Sequence, residues 1–313
     1  MKLTVASSPH IRGDFRTSRL MLDVVIALLP AVGVALARFG LRALFIILIS
    51  VLAAVVSELL YCVIMRKRVT IIDASAIVTG LLLALTLPVS APLWMPAAGS
   101  AFAVIFAKLL FGGLGQNIFN PALAGRAFLM LVYPVGITRY AMDVDAVSMS
   151  TPLHKMVMPS LPEESILDMF LGFCPGSIGE ISALALLIGF AYLLIRKVIS
   201  WRIPVFVMAS AALLSLIFFR AGTPVQWMLY TLFSGGLMLG AIYMATDYAT
   251  SPVTAKGQMI YGALIGALIV LFRYFGIFPE GVTYAILIAN ALVWVIDRYT
   301  GPRRFGKVKG AKK

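Results

Sequence analysis

The chain alternates between long apolar runs and short polar connections. A helix needs about 20 mostly apolar residues to cross the hydrocarbon core of a bilayer. Shorter runs suffice where a helix is broken inside the protein, because neighbouring protein groups can pair the freed backbone. The pattern therefore predicts ten membrane segments: Leu20–Ala37, Ala43–Met65, Ala74–Leu87, Leu93–Phe111, Ala122–Val135, Ile178–Ile195, Ile203–Phe219, Gln226–Ala245, Gln258–Phe272 and Val282–Ile296.

Composition excludes a soluble protein. Of the 313 residues, 61% are hydrophobic and only 12% are charged, whereas soluble domains contain roughly 45–50% apolar residues. A water-soluble fold of this size cannot bury so many apolar side chains, so lipid must surround most of the chain. The two cysteines and two histidines lack the spacing of metal ligands, and we expect neither a metal site nor a disulfide framework.

The distribution of basic residues predicts how the segments are oriented. Cytoplasmic loops of membrane proteins are enriched in Lys and Arg, and most of the 26 Lys and Arg residues fall on one side when the N-terminus is placed in the cytoplasm. Ten crossings then return the C-terminus to that side. The net charge of +13 is thus expected to face anionic lipid, and the basic tail does not indicate a nucleic acid partner.

One long polar stretch divides the chain into two halves of five segments each. We expect a cytoplasmic N-terminal segment, a first half, an extracytoplasmic loop, a second half and a basic cytoplasmic tail, at residues 1–19, 20–135, 136–177, 178–297 and 298–313. Thr79–Ala84 resembles Gly235–Gly240, and Asn120–Ala122 resembles Phe278–Gly281. Because the matching segments lie an odd number of crossings apart, the halves are expected to be inverted repeats. The predicted fold is an all-α membrane protein of about ten helices, some of them short or broken.

Three stretches interrupt the segments at membrane depth, over residues 112–121, 246–252 and 278–281. Non-helical backbone at that depth must line a cavity or a ligand enclosed by protein. Asn120 followed by Pro121, and Ser251 followed by Pro252, are each typical of a helix N-cap and first turn. Each stretch is expected to point a helix N-terminus, with its partial positive charge, into the protein. The short third, fifth, ninth and tenth segments likewise indicate a midplane or interfacial site.

Ionisable residues inside membrane segments are rare and are functional candidates by default. The segments and their ends contain Asp23, Glu58, Asp73, Lys108, Asp247 and Asp297. Asp247 is the strongest candidate because it lies within a predicted break.

The extracytoplasmic loop contains the sequence Asp145-Ala146-Val147-Ser148-Met149-Ser150-Thr151. Its composition alone is typical of a capped turn. It also resembles the flavinylation signature Asp-x-x-(Ser/Thr)-x-(Ala/Ser)-Thr, in which the last threonine receives FMN through a phosphoester bond from a flavin transferase that uses FAD. The resemblance implies that Thr151 carries covalent FMN and that Asp145, Ser148 and Ser150 belong to the recognised motif.

Other blocks extend this resemblance along nearly the whole chain. Residues 112–129 read Gly-Gly-Leu-Gly-Gln-Asn-Ile-Phe-Asn-Pro-Ala-Leu-Ala-Gly-Arg-Ala-Phe-Leu, and Met244–Asp247 and Pro279–Gly281 provide two further matches. These blocks resemble the D subunits of the Rnf complex and the related B subunits of the sodium-pumping NADH:quinone reductase. Tyr248–Pro252 and the short N-terminal segment favour the Rnf D subunits.

The resemblance implies an electron-transfer subunit of an ion-motive ferredoxin:NAD⁺ oxidoreductase in a bacterial or archaeal cytoplasmic membrane. It implies two flavins, the covalent FMN near the outer face and a second flavin, riboflavin or non-covalent FMN, deeper in the bundle. Within the matching blocks, the candidates for the inner flavin site are Asn117, Asn120, Gly112 and Gly113. Thr246 and Asp247 are candidates for the inner flavin or for an ion route.

The expected partners follow from the same resemblance. They are the membrane subunits A and E, flavoprotein G, subunits B and C on the NADH and ferredoxin side, the flavin transferase, membrane lipid, and Na⁺ or H⁺. The residues alone leave an alternative open, because two inverted five-helix repeats also build channels and transporters of the urea and ammonium type. Such a pore needs neither the Thr151 motif nor a bound chromophore.

Overall fold

The computed structural model of the chain describes residues 17–67, 69–138, 156, 161–162, 164–275 and 281–301. Every regular element within these ranges is helical. A helix pairs its backbone groups within its own segment, which is what a lipid environment requires. The predicted all-α membrane fold is therefore confirmed.

The helices form two sets along the chain; the last helix of the first set and the first helix of the second lie partly or wholly within the polar loop 136–177. The first set comprises α1 (Thr17–Ile64), α2 (Ser75–Leu85), α3 (Trp94–Phe102, continuing as a π-helix over Ala103–Leu109), α4 (Pro121–Val132) and α5 (Pro134–Thr138). The second comprises α6 (Ile166–Leu171), α7 (Ala183–Ile195), α8 (Arg202–Ile217), α9 (Pro224–Phe233), α10 (Leu237–Leu239, continuing as a π-helix over Gly240–Met244), α11 (Ala255–Phe275) and α12 (Val282–Thr300).

Helix α1 contains the first two predicted segments. Its 48 residues correspond to about 72 Å of straight helix, more than twice the thickness of the hydrocarbon core. At Gly40 the backbone leaves helical geometry, with φ of 59° and ψ of −147°, a conformation that glycine adopts without a side-chain clash. Thr17 at one end of α1 and Cys62 near the other end line the same cavity. The helix therefore folds back on itself as a hairpin.

Three helices of the described residues, α1, α11 and α12, are long and apolar enough to cross a membrane, and the bent pair of α9 and α10 makes a fourth such span. The other apolar helices, α2, α3, α4, α7 and α8, are shorter. When the two arms of α1 are counted separately and the short α5 and α6 are set aside, five segments lie on each side of the polar loop. This arrangement is consistent with about ten predicted segments, and the inverted relation between the halves stays a prediction.

The ninth and tenth segments are longer than the sequence predicts. Helix α11 has 21 residues and α12 has 19, because both helices continue beyond their apolar runs into polar residues. The third and fifth segments, α2 and α4, are short as predicted, with 11 and 12 residues. The expectation of a short ninth and a short tenth segment is therefore wrong.

The first predicted break is confirmed. The loop between α3 and α4 passes through Gly112, Gly113 and Gly115, all at positive φ. Gly112 has a φ of 118°, a conformation that glycine adopts without a side-chain clash.

The second predicted break is also confirmed, but its cap differs from the prediction. No helix forms between Met244 and Ala255. The Thr254 hydroxyl accepts from the backbone N–H of Gly257 at 3.0 Å, which is the N-cap pattern. The predicted cap, Ser251, is wrong, because the next backbone N–H after Pro252 donates to Asp297 Oδ1 at 3.2 Å instead of entering the helix. Of the third predicted break, residues 278–280 lie outside the described residues.

A further break, which the sequence pattern did not predict, divides the eighth segment. Helices α9 and α10 are bent by 63° where Gly235 adopts a φ of 64°. The buried guanidinium of Arg273 donates to the backbone oxygen of Thr231 and, at 2.8 Å, to that of Ser234. These bonds satisfy carbonyl groups that the last turn of α9 leaves unpaired. The sequence feature that marks this bend is the Gly235-Gly236 pair. Because the pair resembles Thr79-Gly80, it indicates a repeat more readily than a bend.

Glycines bring α8 and α11 into backbone contact. Gly262 and Gly266 of α11 have the four-residue spacing that is typical of close helix pairs in membranes. An added Cβ would lie 2.9 Å from the Ile203 oxygen at Gly262 and 2.4 Å from the Val207 oxygen at Gly266. Lipid tails are as apolar as the side chains, so this contact is stabilised mainly by close packing.

We expect Gly266→Ala to destabilise the fold by about 1–3 kcal/mol, because the new methyl group overlaps backbone of α8 that has no room to retreat. The matched control is Gly33→Ala in α1, where no atom lies within 4 Å of an added Cβ. That change should be neutral or stabilising by up to about 1 kcal/mol. Thermal unfolding in detergent measures both variants, and equal shifts would contradict the packing described here.

Candidate functional site

A cavity lies where the breaks of the two halves meet, and we call it the inner cavity. Its enclosed volume is about 60 Å³, within about 670 Å³ of space that includes open solvent. Apolar side chains of α1, α2, α4 and α7 form much of its wall. The polar residues in the wall are Ser75, Thr79, Lys108, Asn117, Asn120, Tyr243, Thr246, Asp247 and Tyr248.

Four of the residues proposed from sequence lie together in this wall. Asn117 and Asn120 come from the break before α4, and Thr246 and Asp247 come from the break after α10. Gly112 and Gly113 instead line a second cavity, next to the ends of α1. The structure therefore brings the four polar candidates to one site and separates the two glycines from it.

Asn120 joins the two breaks. Its Oδ1 accepts from the backbone N–H groups of Ala122 at 3.0 Å and Leu123 at 3.3 Å, and its Nδ2 donates to the backbone oxygen of Met244 at 3.1 Å. The predicted N-cap is confirmed. The cap also occupies N–H groups in the first turn of α4, so those donors do not point at a ligand, contrary to the expectation from sequence. Asn120 shapes the inner cavity by holding one break against the other.

Asn290 of α12 hydrogen-bonds to the backbone of Asn120. The sequence analysis assigned Asn290 no role. With its amide oriented so that both polar atoms are satisfied, Asn290 accepts from the backbone N–H of Asn120 at 3.0 Å and donates to the Tyr261 hydroxyl at 2.6 Å. All three residues are buried. The partners of Asn290 lie too far along the chain for spacing to identify them.

The carboxylate of Asp247 lies at the second break. It accepts from the backbone N–H of Ala249 at 3.4 Å and from the Thr250 hydroxyl at 3.3 Å, so the turn that follows holds both carboxylate oxygens. The Thr246 hydroxyl donates to the Ile242 oxygen at 2.6 Å, a back-bond that threonine commonly makes to the preceding helical turn. The Thr246 oxygen therefore remains available only as an acceptor.

The wall of the inner cavity also contains a buried cation. Lys108 is 2% exposed, and its ammonium lies 2.8 Å from Oε2 of Glu58, which is fully buried. It donates to Ser75 Oγ at 2.6 Å, and the Thr70 hydroxyl donates to the other oxygen of the Glu58 carboxylate. The sequence indicated both charged residues as candidates, but nothing in it pairs residues 50 positions apart.

The residues present fit a planar ring system with polar edges. The tyrosines Tyr243 and Tyr248 and the apolar side chains offer flat, apolar faces, while Lys108 and Asp247 add ionisable groups. The Asn120 amide is engaged with backbone on both sides and contributes shape more than binding. The fit to a flavin therefore rests on the aromatic and apolar wall and on these ionisable groups.

The flavinylation motif, with Asp145, Ser148, Ser150 and Thr151, lies outside the described residues. Met156, which follows it, is buried, and the Ser234 hydroxyl lies 3.8 Å from its sulfur. The chain shortly after the motif therefore contacts the bend between α9 and α10.

The fold and the site define a multi-pass membrane protein whose helices break around a cavity lined by both halves. A model of the NQR2, RnfD, RnfE family matches residues 4–306. The chain belongs to this family.

Curated relatives resemble the chain over nearly their full length. The D subunit of the Na⁺-translocating ferredoxin:NAD⁺ oxidoreductase complex of Acetobacterium woodii is 46% identical, with 99% of this chain and 97% of the relative covered. The D subunit of the proton-translocating ferredoxin:NAD⁺ oxidoreductase complex of Clostridium ljungdahlii is 42% identical, with 97% and 96% covered. The D subunit of the ion-translocating oxidoreductase complex of Escherichia fergusonii is 36% identical, with 99% and 100% covered.

We expect Lys108→Met to destabilise the fold by about 3–5 kcal/mol, because it leaves the Glu58 carboxylate buried without a counter-charge. The double variant Lys108→Met with Glu58→Gln removes both charges and should lose much less. Thermal unfolding of the two variants in the same detergent tests this. A single variant as stable as the double variant would show that Glu58 does not depend on Lys108.

Proposed function

We propose that this chain is the electron-transferring D-type subunit of a membrane complex that couples ferredoxin:NAD⁺ oxidoreduction to ion translocation. The observation that carries the proposal is the inner cavity, where Asn117 and Asn120 of one half meet Thr246 and Asp247 of the other. The named relatives support it, because their similarity covers both halves of this cavity and their names describe oxidoreductase subunits. The same names favour a redox role over the pore that the residues alone left open.

The outer cofactor in this proposal is FMN, joined to Thr151 through a phosphoester bond. A separate flavin transferase attaches it from FAD and recognises the motif formed by Asp145, Ser148 and Ser150. A covalent tether suits a cofactor near the aqueous outer face, where a released flavin would be lost. The support for this site is the sequence motif and the family to which the chain belongs.

The inner cavity is proposed to hold a second flavin, riboflavin or non-covalent FMN, which supplies redox chemistry that side chains lack. The chain's own residues supply position and a dry environment. Asn120 fixes the two breaks against each other, and the Tyr243 hydroxyl joins α1 to α7 by donating to the oxygens of Ala27 at 3.1 Å and Leu186 at 3.3 Å. Gly112 and Gly113 shape the adjoining loop without lining the inner cavity.

The translocated ion is proposed to be Na⁺ or H⁺, and Asp247 is the candidate for a group along its route. The relatives from Acetobacterium woodii and Clostridium ljungdahlii differ in the ion that their names give, although both cover nearly all of this chain. Overall similarity therefore does not decide the ion.

We place the protein in the cytoplasmic membrane of a prokaryote, with both termini inside and the Thr151 loop outside. The support is the concentration of basic residues on one side of the predicted topology. The proposed partners are membrane subunits A and E, flavoprotein G, subunits B and C, the flavin transferase and membrane lipid. No nucleic acid partner is proposed.

We expect the denatured wild-type protein, expressed with an active flavin transferase, to fluoresce yellow-green in a gel, and Thr151→Val to abolish the signal. The matched control is Ser150→Ala, which keeps the acceptor hydroxyl and brings the motif to its common form, so its band should stay bright. Mass spectrometry of intact protein checks the added FMN. A dark wild-type band would contradict the redox proposal and favour the pore.

We expect Asn120→Leu to lose most of the non-covalent flavin while the fluorescent Thr151 band remains, because the substitution removes the bonds that hold the two breaks together. Flavin released by denaturation, measured per mole of protein by chromatography, gives the result. The control is Ser182→Ala, which removes the N-cap of α7 (Ser182 Oγ to the Ala185 N–H, 3.2 Å) away from the cavity. Loss of the covalent band in Asn120→Leu would show that the two flavin sites are not separate.

A further inference from the structure

A chain of polar side chains separates the inner cavity from the second cavity. Ser75 and Lys108 line the inner cavity, and Thr70 and Asp73 line the second one. Glu58 lies between them, bonded to Lys108 on one side and to Thr70 on the other. We call these five residues the polar partition.

The second cavity differs in character from the inner cavity. Its wall includes Thr17 and Tyr61 from the two ends of α1, together with the exposed Lys67. It is therefore connected to the end of the helix bundle, whereas Lys108 and Glu58 are almost completely buried. The polar partition is the point at which the interior of the protein meets this end of the bundle.

Lys108 is the member of the polar partition that can respond to the inner cavity. An ammonium group has three N–H donors, and two of them are used by Glu58 at 2.8 Å and Ser75 at 2.6 Å. Lys108 lies in the last turn of a π-helical stretch, Ala103–Leu109. Such stretches are frequent at functional sites. The flexible stem of Lys108 allows the ammonium to shift without moving the helix.

We propose that Lys108 is shared between Glu58 and the occupant of the inner cavity, so that negative charge gained by the occupant weakens the Lys108–Glu58 ion pair. This inference rests on the proposed function. The negative charge is that of one electron. A reduced redox carrier of a neighbouring subunit is oxidised as it gives this electron to the occupant. No bond is made or broken in the chain, and the ammonium redistributes its hydrogen bonds between two anionic partners.

Electrostatics predicts in which direction the Lys108–Glu58 pair responds to charge in the inner cavity. Interactions between charges are much stronger in a poorly solvated interior than in water, and the side chains of Lys108 and Glu58 are 2% and 0% exposed. Lys108 lies in the wall of this cavity, and its ammonium group favours added negative charge there. As the occupant gains negative charge, the Lys108 ammonium neutralises less of the negative charge on the Glu58 carboxylate. A redox change in the inner cavity thereby alters the charge balance beside the second cavity.

The test uses the full chain with Thr151→Val in every sample, so that the covalent flavin does not contribute to the signal. The variant is Lys108→Met with Glu58→Gln, which leaves no unpaired buried charge. The matched control is Arg126→Met with Glu180→Gln, which removes another buried ion pair, 3.4 Å apart, that does not line the inner cavity. Spectroelectrochemical titration gives the midpoint potential of the non-covalent flavin, and infrared difference spectra follow carboxylate bands on reduction.

We expect the Lys108–Glu58 variant to disfavour the reduced flavin at least tenfold relative to the control, which is about 59 mV for a one-electron couple. We also expect a carboxylate band that changes on reduction in the control and is missing from this variant. An unchanged potential together with an unchanged band would overturn the inference and leave the proposed function intact. Absence of non-covalent flavin from the Thr151→Val parent would overturn the proposed function, and this inference with it.

Discussion

Backbone groups that leave a helix inside a membrane must be paired by the protein, because lipid offers them no partner. This constraint explains the least regular parts of the fold. Asn120 pairs the start of α4 and the end of the π-helix after α10, and Arg273 pairs the end of α9. Each of these side chains is buried. The breaks are therefore fixed in place, and the cavity between them is a stable feature of the fold.

The same constraint concentrates function at the breaks. In a continuous helix the backbone groups hydrogen-bond to one another, so only side chains are available for binding. A broken helix brings backbone groups and short polar side chains into the interior of the protein. The inner cavity is lined from both breaks, so residues of the two halves meet in its wall. The most irregular segments of the chain thus form the site that the family resemblance associates with a cofactor.

The sequence predicts the elements of this structure better than their contacts. Apolar runs give the number and place of the segments, and Asn120-Pro121 gives a cap that the structure confirms, because these signals are local. The bend at Gly235 was missed because it depends on a distant partner, Arg273. Ser251 was predicted as the cap because the sequence does not show that the distant Asp297 binds the Val253 N–H. For the same reason the sequence indicates Lys108 and Glu58 separately but does not pair them. The grouping of Asn117, Asn120, Thr246 and Asp247 became visible only in three dimensions.

A buried ion pair is weak evidence for stability, because desolvation offsets most of the attraction between the charges. Lys108 and Glu58 are therefore poorly explained as a means of holding α1 against α3, because Ser50 of α1 already makes a neutral hydrogen bond to Ser100 of α3 at 2.8 Å. Ser50 also donates to the Gly80 oxygen of α2 at 2.7 Å. What a charged pair offers, and a neutral one does not, is sensitivity to a third charge. Placed between an interior cavity and a second one near the end of the bundle, it links electron movement on one side to charge balance on the other.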